Sequence, residues 1–163
     1  MPKCLASKWK LVSEMSAKSI IIAGGGLTGA LAALMLARDG HRVSLYERRG
    51  DIRDAKIVHG RSINLAISTR GLTALERVGL RQEVLDMAVP MRGRRMHGKD
   101  NSTTFQPYSA NEDENIYSIS RGGLNRFLIE QAAAEENVTL FFQHRCVGVD
   151  PRSGVGSFVG GAS

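Results

Sequence analysis

Cysteine is nearly missing from this sequence, aromatic residues are sparse, and no long apolar run occurs. The two cysteines, Cys4 and Cys146, stand at no metal-ligand or redox spacing, which argues against a disulfide scaffold or a thiolate metal centre. So little cysteine chemistry fits a reducing compartment, and a cytoplasmic location is expected. The four histidines are scattered with no pair at helical spacing, so no metal site is expected. The longest apolar run, Ile20 to Ala23, is strand-sized. A membrane-spanning helix needs roughly 20 apolar residues and is not expected here. Aromatics make up 6% of residues, and the net charge of +6 is spread along the chain, its densest cluster being the short Arg92 to Arg95. With no helix-turn-helix or RNA-binding signature, a nucleic-acid partner is not expected. Cations serving small anionic ligands account for the same excess.

What is present is a globular composition, 42% apolar and 23% charged over 163 residues. That is enough for one domain with a sizeable core. Residues 1–18 differ from the rest, with Lys3, Lys8, Lys10 and Lys18 but no arginine, no long apolar stretch and no small-residue cleavage site. No secretory signal is expected there, and the segment reads as a flexible tail. Met15, four residues ahead of the first strand, offers an alternative start.

Ser19 to Ala23 is a β-branched run of the kind found in strands buried on both faces. Leu27 to Asp39 then reads as a helix with an apolar face at Leu31, Leu34 and Met35, stopped by Gly40. Arg42 to Tyr46 is a second strand ending on Glu47, which makes a strand–helix–strand crossover of about 30 residues. Ser62 to Ser68 reads as a short strand or extended segment, and Thr69 to Ala88 as one helix broken near Gly79, or two. The stretch from Met91 to Ser120 suggests a hairpin or meander with arms near Thr103–Tyr108 and Ile116–Ser120 and a polar turn at Asn111 to Asn115. Gly122 to Glu136 is helical, Val138 to Phe142 and Cys146 to Val149 are strands, and Pro151 onward is Gly/Ser-rich and expected to be flexible.

Gly24-Gly25-Gly26-Leu27-Thr28-Gly29 matches G-x-G-x-x-G, follows an apolar strand and opens a helix. Glu47 ends the next strand 18 residues after Gly29. That context points to a dinucleotide. Gly24 permits the tight turn, Gly26 lets a pyrophosphate approach the backbone, and Gly29 allows close helix–strand packing. The helix N-terminus offers unpaired N–H groups to phosphates, and Glu47 can accept hydrogen bonds from both ribose hydroxyls. The fingerprint does not separate FAD from NAD. Arg48 and Arg49 would suit the 2′-phosphate of NADP, but Glu47 would repel it.

Further along stand Gly60-Arg61-Ser62-Ile63-Asn64-Leu65-Ala66, Met91-Arg92-Gly93-Arg94, Gln106-Pro107-Tyr108 and Ser118-Ile119-Ser120-Arg121-Gly122-Gly123-Leu124-Asn125. In these segments, in this order, the chain resembles the kynurenine 3-monooxygenase family of FAD-dependent aromatic hydroxylases, from about Ile20 to Val149. The resemblance implies an α/β fold: a Rossmann-like FAD-binding domain of glutathione-reductase type over residues 19–150. It would be incomplete, with inserted strands of an antiparallel substrate-domain sheet at about 89–120 and a Gly/Ser-rich end at 151–163. It implies that the ADP half of FAD lies on Gly24, Gly26, Thr28, Gly29, Tyr46, Glu47, Arg48 and Arg49. It places the flavin near Ala66 and Arg121 and the adenine side near Cys146. Arg94 and Tyr108 would bind the carboxylate of L-kynurenine, which suits a guanidinium fork beside a phenol. The implied reaction uses NADPH and molecular oxygen to give 3-hydroxykynurenine, with no catalytic side chain nominated.

Such hydroxylases are much longer, and the Asp-Gly and Gly-Asp motifs that complete their FAD site have no counterpart here. The expectation is therefore an N-terminal portion with an open sheet edge, unable to turn over by itself. Two other readings stay open: a nucleotide-binding remnant without catalysis, and the Rossmann domain of another FAD- or NAD-linked oxidoreductase.

Overall fold

A computed structural model describes residues 17–54, 64–110 and 115–161. The tail expected over residues 1–18 lies almost wholly outside them, as do the first part of the GRSINLA stretch and most of the turn expected at Asn111 to Asn115. The elements in chain order are β1 (Ser19–Ala23), α1 (Leu27–Arg38), β2 (Arg42–Tyr46), β3 (Asn64–Ile67), α2 (Thr69–Arg77), α3 (Arg81–Asp86) and β4 (Val89–Met91). They continue as β5 (Gly93–His97), β6 (Thr103–Pro107), β7 (Ile116–Ser120), α4 (Arg121–Ala133), β8 (Val138–Phe141), β9 (His144–Asp150) and β10 (Val155–Gly160). They fall into two compact units, Met1–Asp54 with Leu128–Ser163 and Ala55–Phe127, the division lying within α4.

In the first unit β1, β2 and β8 form a parallel sheet in that order. The helix between β1 and β2 buries Ala30, Ala33, Leu34 and Ala37, and β2 buries Val43 and Leu45. Three of the four buried α1 residues are alanine, so the helix axis can approach the sheet closely. Gly40 takes φ +88 just beyond the helix and donates to the carbonyl of Ala37, as expected of a helix-terminating glycine. The Asn137 side-chain amide then ties this end down, donating to the carbonyls of Ala37 and His41, each at 2.7 Å.

Two expectations for this unit need correction. β1 is not buried on both faces: Ser19, Ile21 and Ala23 are exposed, Ile21 at 47%. It stands at the edge of the described sheet, and an apolar run reads the same whether or not both its faces are covered. Residues after Pro151 are not irregular either, because β10 pairs antiparallel with β9. The Asp150 carboxylate accepts from the Arg152 N–H and the Ser153 hydroxyl, while Gly154 at φ +71 donates back to the Asp150 carbonyl at 2.8 Å. Glycine and serine here build a reversal.

In the second unit β3, β7 and β4 form an antiparallel sheet. The stretch after Ser68 is two helices, with Gly79 at φ +63 between them. The two arms expected to belong to one hairpin or meander do not pair with each other. Thr103–Pro107 pairs with Gly93–His97, whereas Ile116–Ser120 pairs with β3 and β4. The turn is made instead by Gly98 to Ser102, where Asn101 adopts φ 62 and the Asp100 carboxylate accepts from Ser102. Both segments alternate well enough to be strands, and only long-range pairing decides their partners. Ser120 caps α4, accepting the Gly123 N–H on its hydroxyl at 3.2 Å.

Candidate functional site

The glycine turn joins β1 to α1. Gly24 adopts φ +116 and donates its N–H to the Tyr46 carbonyl at 2.7 Å, locking the turn to the end of β2. Gly26 is the N-cap of α1, so the cap position supplies no side-chain acceptor, and no acidic residue stands in the first turn. A glycine cap leaves the leading N–H groups of α1 without the usual side-chain cap, a setting that favours an anion. A Cβ on Gly26 would meet nothing within 4 Å, so the space beside the backbone is open. A Cβ on Gly29 would lie 1.9 Å from the Gly24 carbonyl oxygen, so only glycine permits this approach of helix to turn.

Glu47 is the charged centre of the site and is 8% exposed. Its Oε2 accepts from the Gly25 N–H at 2.8 Å, and its Oε1 from the Arg49 N–H at 2.9 Å and the Arg49 Nε at 3.0 Å. Burial pushes this carboxyl up, but the donors from Arg49 and Gly25 and the Arg49 charge outweigh it. The net result holds it below its ordinary value of 4.5. A depressed carboxyl contributes stability that is complete above the unfolded value and is lost as the pH falls through the folded one. Unfolding midpoints should therefore drop with acid below pH 4.5 more steeply in the wild type than in Glu47→Gln. Parallel acid profiles would show that the hydrogen bonds to Glu47 carry no linkage.

Around these residues lies an open cleft of about 370 Å³, lined by Gly24, Gly26, Tyr46 to Arg49 and Cys146, together with Ala23, His144 and Arg145. Most of the residues expected at the ADP end of a dinucleotide thus come together on one unit. Thr28 sits exposed in the first turn of α1. The ring of Tyr46 has near-parallel neighbours at 3.8 Å (Phe158) and 4.5 Å (Phe141). Two rings so close would overlap on one face, so they occupy both. Neither face of the Tyr46 ring is therefore free to stack on a ligand. Gly25, His144 and Arg145 were not singled out from sequence. Gly25 is the variable position of the fingerprint, yet its Cβ would come within 3.0 Å of the Glu47 Cβ. His144 and Arg145 reach the cleft because the His144 N–H donates to the Glu47 carbonyl at 2.9 Å, a contact with no local sequence signal.

The other expected residues lie on the second unit. Ala66 pairs with Ser118 in the β3–β7 ladder, and Arg121 follows Ser120, the partner of Asn64 two residues from Ala66. Arg94 and Tyr108 belong to the β5–β6 hairpin, where the Tyr108 N–H donates to the Arg92 carbonyl at 3.0 Å. Strand alternation places Arg94, Gln106 and Tyr108 on one face of that hairpin. Among the described residues no cluster of His, Cys, Asp and Glu could hold a metal ion, and no helix is long and apolar enough to cross a membrane.

Residues 17–154 match the family model described as FAD binding domain. The chain belongs to this FAD-binding family. Curated relatives of the FAD-binding chain include kynurenine 3-monooxygenase of Myxococcus xanthus (strain DK1622), 46% identical over 88% of this chain and 31% of the relative. Another is kynurenine 3-monooxygenase of Caenorhabditis elegans, 49% identical over 81% of this chain and 29% of the relative. The FAD-binding chain thus spans about a third of the length of the relatives it matches. Among solved structures, the tetrameric form of 2-methyl-3-hydroxypyridine-5-carboxylic acid oxygenase superposes with a TM-score of 0.69 at 20% identity. It covers 88% of this chain and 38% of that one, a likeness of fold alone. The residues present fit FAD on their own geometry. The uncapped N-terminus of α1, the open space at Gly26 and the carboxylate of Glu47 are a phosphate-approach surface beside a hydroxyl acceptor.

Proposed function

We propose that this chain is the FAD-binding N-terminal part of an NADPH-dependent flavoprotein monooxygenase that hydroxylates L-kynurenine to 3-hydroxykynurenine. The observation that carries the reading is the cleft at the head of α1, where Gly24, Gly26, Gly29 and Glu47 converge. The likeness to curated kynurenine 3-monooxygenases at 42–49% identity supports the choice of substrate. The N–H groups at Gly26 and Thr28 would face the pyrophosphate, and Glu47 the adenosine ribose. Two backbone N–H groups and Arg49 already occupy three of the roughly four lone-pair sites of this carboxylate. A ribose diol would therefore displace the Arg49 guanidinium, whose side chain is 72% exposed. Arg48 and Arg49 would then balance the phosphates, Cys146 would border the adenine, and Ala66 and Arg121 would meet the flavin end.

In this reading the parallel sheet is the beginning of a glutathione-reductase-type domain over residues 19–150, and the strands at about 89–120 form part of a substrate-side sheet. Arg94 and Tyr108 hold the carboxylate of the amino-acid substrate. FAD supplies the electron transfer and oxygen activation when bound, while the protein supplies binding, orientation and exclusion of water. The scarcity of cysteine fits a reducing compartment, and a cytoplasmic location is part of this proposal.

The purified protein should release FAD on denaturation, identified by chromatography and by its visible spectrum. Extended to the relatives' length, it should convert kynurenine to 3-hydroxykynurenine with consumption of NADPH. Recovery of NAD in place of flavin would overturn the cofactor assignment. NADPH oxidation without ring hydroxylation would overturn the substrate.

A further inference from the structure

We propose that Gln106 is a positioning residue that selects which edge of the Arg94 guanidinium meets the substrate carboxylate, an inference that rests on the reading just given. Arg94 and Gln106 are direct cross-strand partners in the β5–β6 hairpin. The Arg94 Nε–H donates to Gln106 Oε1 at 2.8 Å. A guanidinium offers two forked edges to a carboxylate, one made by Nε with a terminal nitrogen and one made by the two terminal nitrogens. With Nε committed to Gln106, the terminal edge is the one left for bidentate binding. The amide is suited to this task because it accepts a hydrogen bond without neutralising the cation, as a carboxylate at the same position would. It also restrains a long side chain that otherwise loses rotamer freedom only when ligand arrives.

The backbone under the pair is held in register from the opposite face. A Cβ on Gly93 would come within 2.5 Å of both the Gln106 carbonyl oxygen and the Phe105 ring, so Phe105 lies across the glycine of the partner strand. Tyr108, one residue past β6, continues the ladder by donating its N–H to the Arg92 carbonyl at 3.0 Å, so strand alternation keeps it in step with Arg94 and Gln106.

The test uses the protein extended to the relatives' length and titrates its flavin absorbance with L-kynurenine and with the decarboxylated amine of kynurenine. Gln106→Met should weaken kynurenine binding roughly five-fold, the loss of one modest hydrogen bond, and leave the amine unaffected. Gln106→Glu keeps the acceptor but adds a competing charge, so it should weaken kynurenine further, again sparing the amine. FAD content and kcat at saturation should stay at wild-type levels while KM rises. Equal losses for both ligands, or unchanged kynurenine affinity in both variants beside a wild type that discriminates, would overturn the role of Gln106 alone. A wild type that does not discriminate between the two ligands would instead remove the carboxylate reading, and this inference with it.

Discussion

Gly29→Ala is expected to abolish flavin retention and to destabilise the protein by roughly 3 kcal/mol, the upper range for overpacking. The added methyl would sit 1.9 Å from the Gly24 carbonyl oxygen, a backbone atom in a turn locked to Tyr46 by a 2.7 Å hydrogen bond. Neither side of that contact can yield as a flexible side chain would. Helix α1 has to move outward, which opens the packing of Ala30, Ala33 and Leu34 and misdirects the leading N–H groups. Gly26→Ala provides the contrast. Its methyl meets nothing within 4 Å, so urea unfolding should stay within about 0.5 kcal/mol of wild type. FAD affinity should nevertheless fall, because the methyl occupies the space through which a phosphate reaches the backbone. Measuring unfolding and flavin stoichiometry on both variants separates the two roles. Equal destabilisation in both would mean that the glycines act only by shaping the turn.

The second large effect is expected at Arg94, in the protein extended to the relatives' length. Arg94 is exposed here, and where a completed substrate site desolvates it, Arg94→Ala should weaken kynurenine binding by about 2–5 kcal/mol, because the carboxylate is left without its charged partner. Tyr108→Phe removes a neutral hydrogen bond and should cost about 1 kcal/mol. FAD content should be unchanged in both, since Arg94 and Tyr108 belong to the β5–β6 hairpin and do not line the cleft at the head of α1. Steady-state kinetics beside flavin occupancy decides the matter. Loss of FAD with normal kynurenine affinity in the remaining holoenzyme would move Arg94 from the substrate to the cofactor.

The reach of sequence differs between the two ends of the site. Gly24, Gly26, Gly29 and Glu47 were legible because each answers to a local constraint: a positive φ, open space beside the backbone, a close helix approach and a strand end. Those constraints repeat wherever a dinucleotide is held, so residue types at fixed spacing carry them. His144 and Arg145 were not legible. They enter the cleft through backbone hydrogen bonds to residues nearly a hundred positions away in the chain, His144 N–H to the Glu47 carbonyl and Gln143 N–H to the Arg49 carbonyl. Gly25 is not legible either, because its reason is also tertiary, the proximity of the Glu47 side chain.

The sequence by itself determined the crossover from β1 through α1 to β2 and the break at Gly79. Periodicity and glycine act over a few residues, and their energies do not depend on distant chain. Only the tertiary structure decided that β6 pairs with β5, that β7 joins β3 and β4, and that the glycine-rich segment after Asp150 returns as a strand. It also decided that Ile21 in β1 remains exposed. A strand's alternation records which residues are apolar and leaves its partner unspecified, because ladder hydrogen bonds are made by a backbone common to every residue.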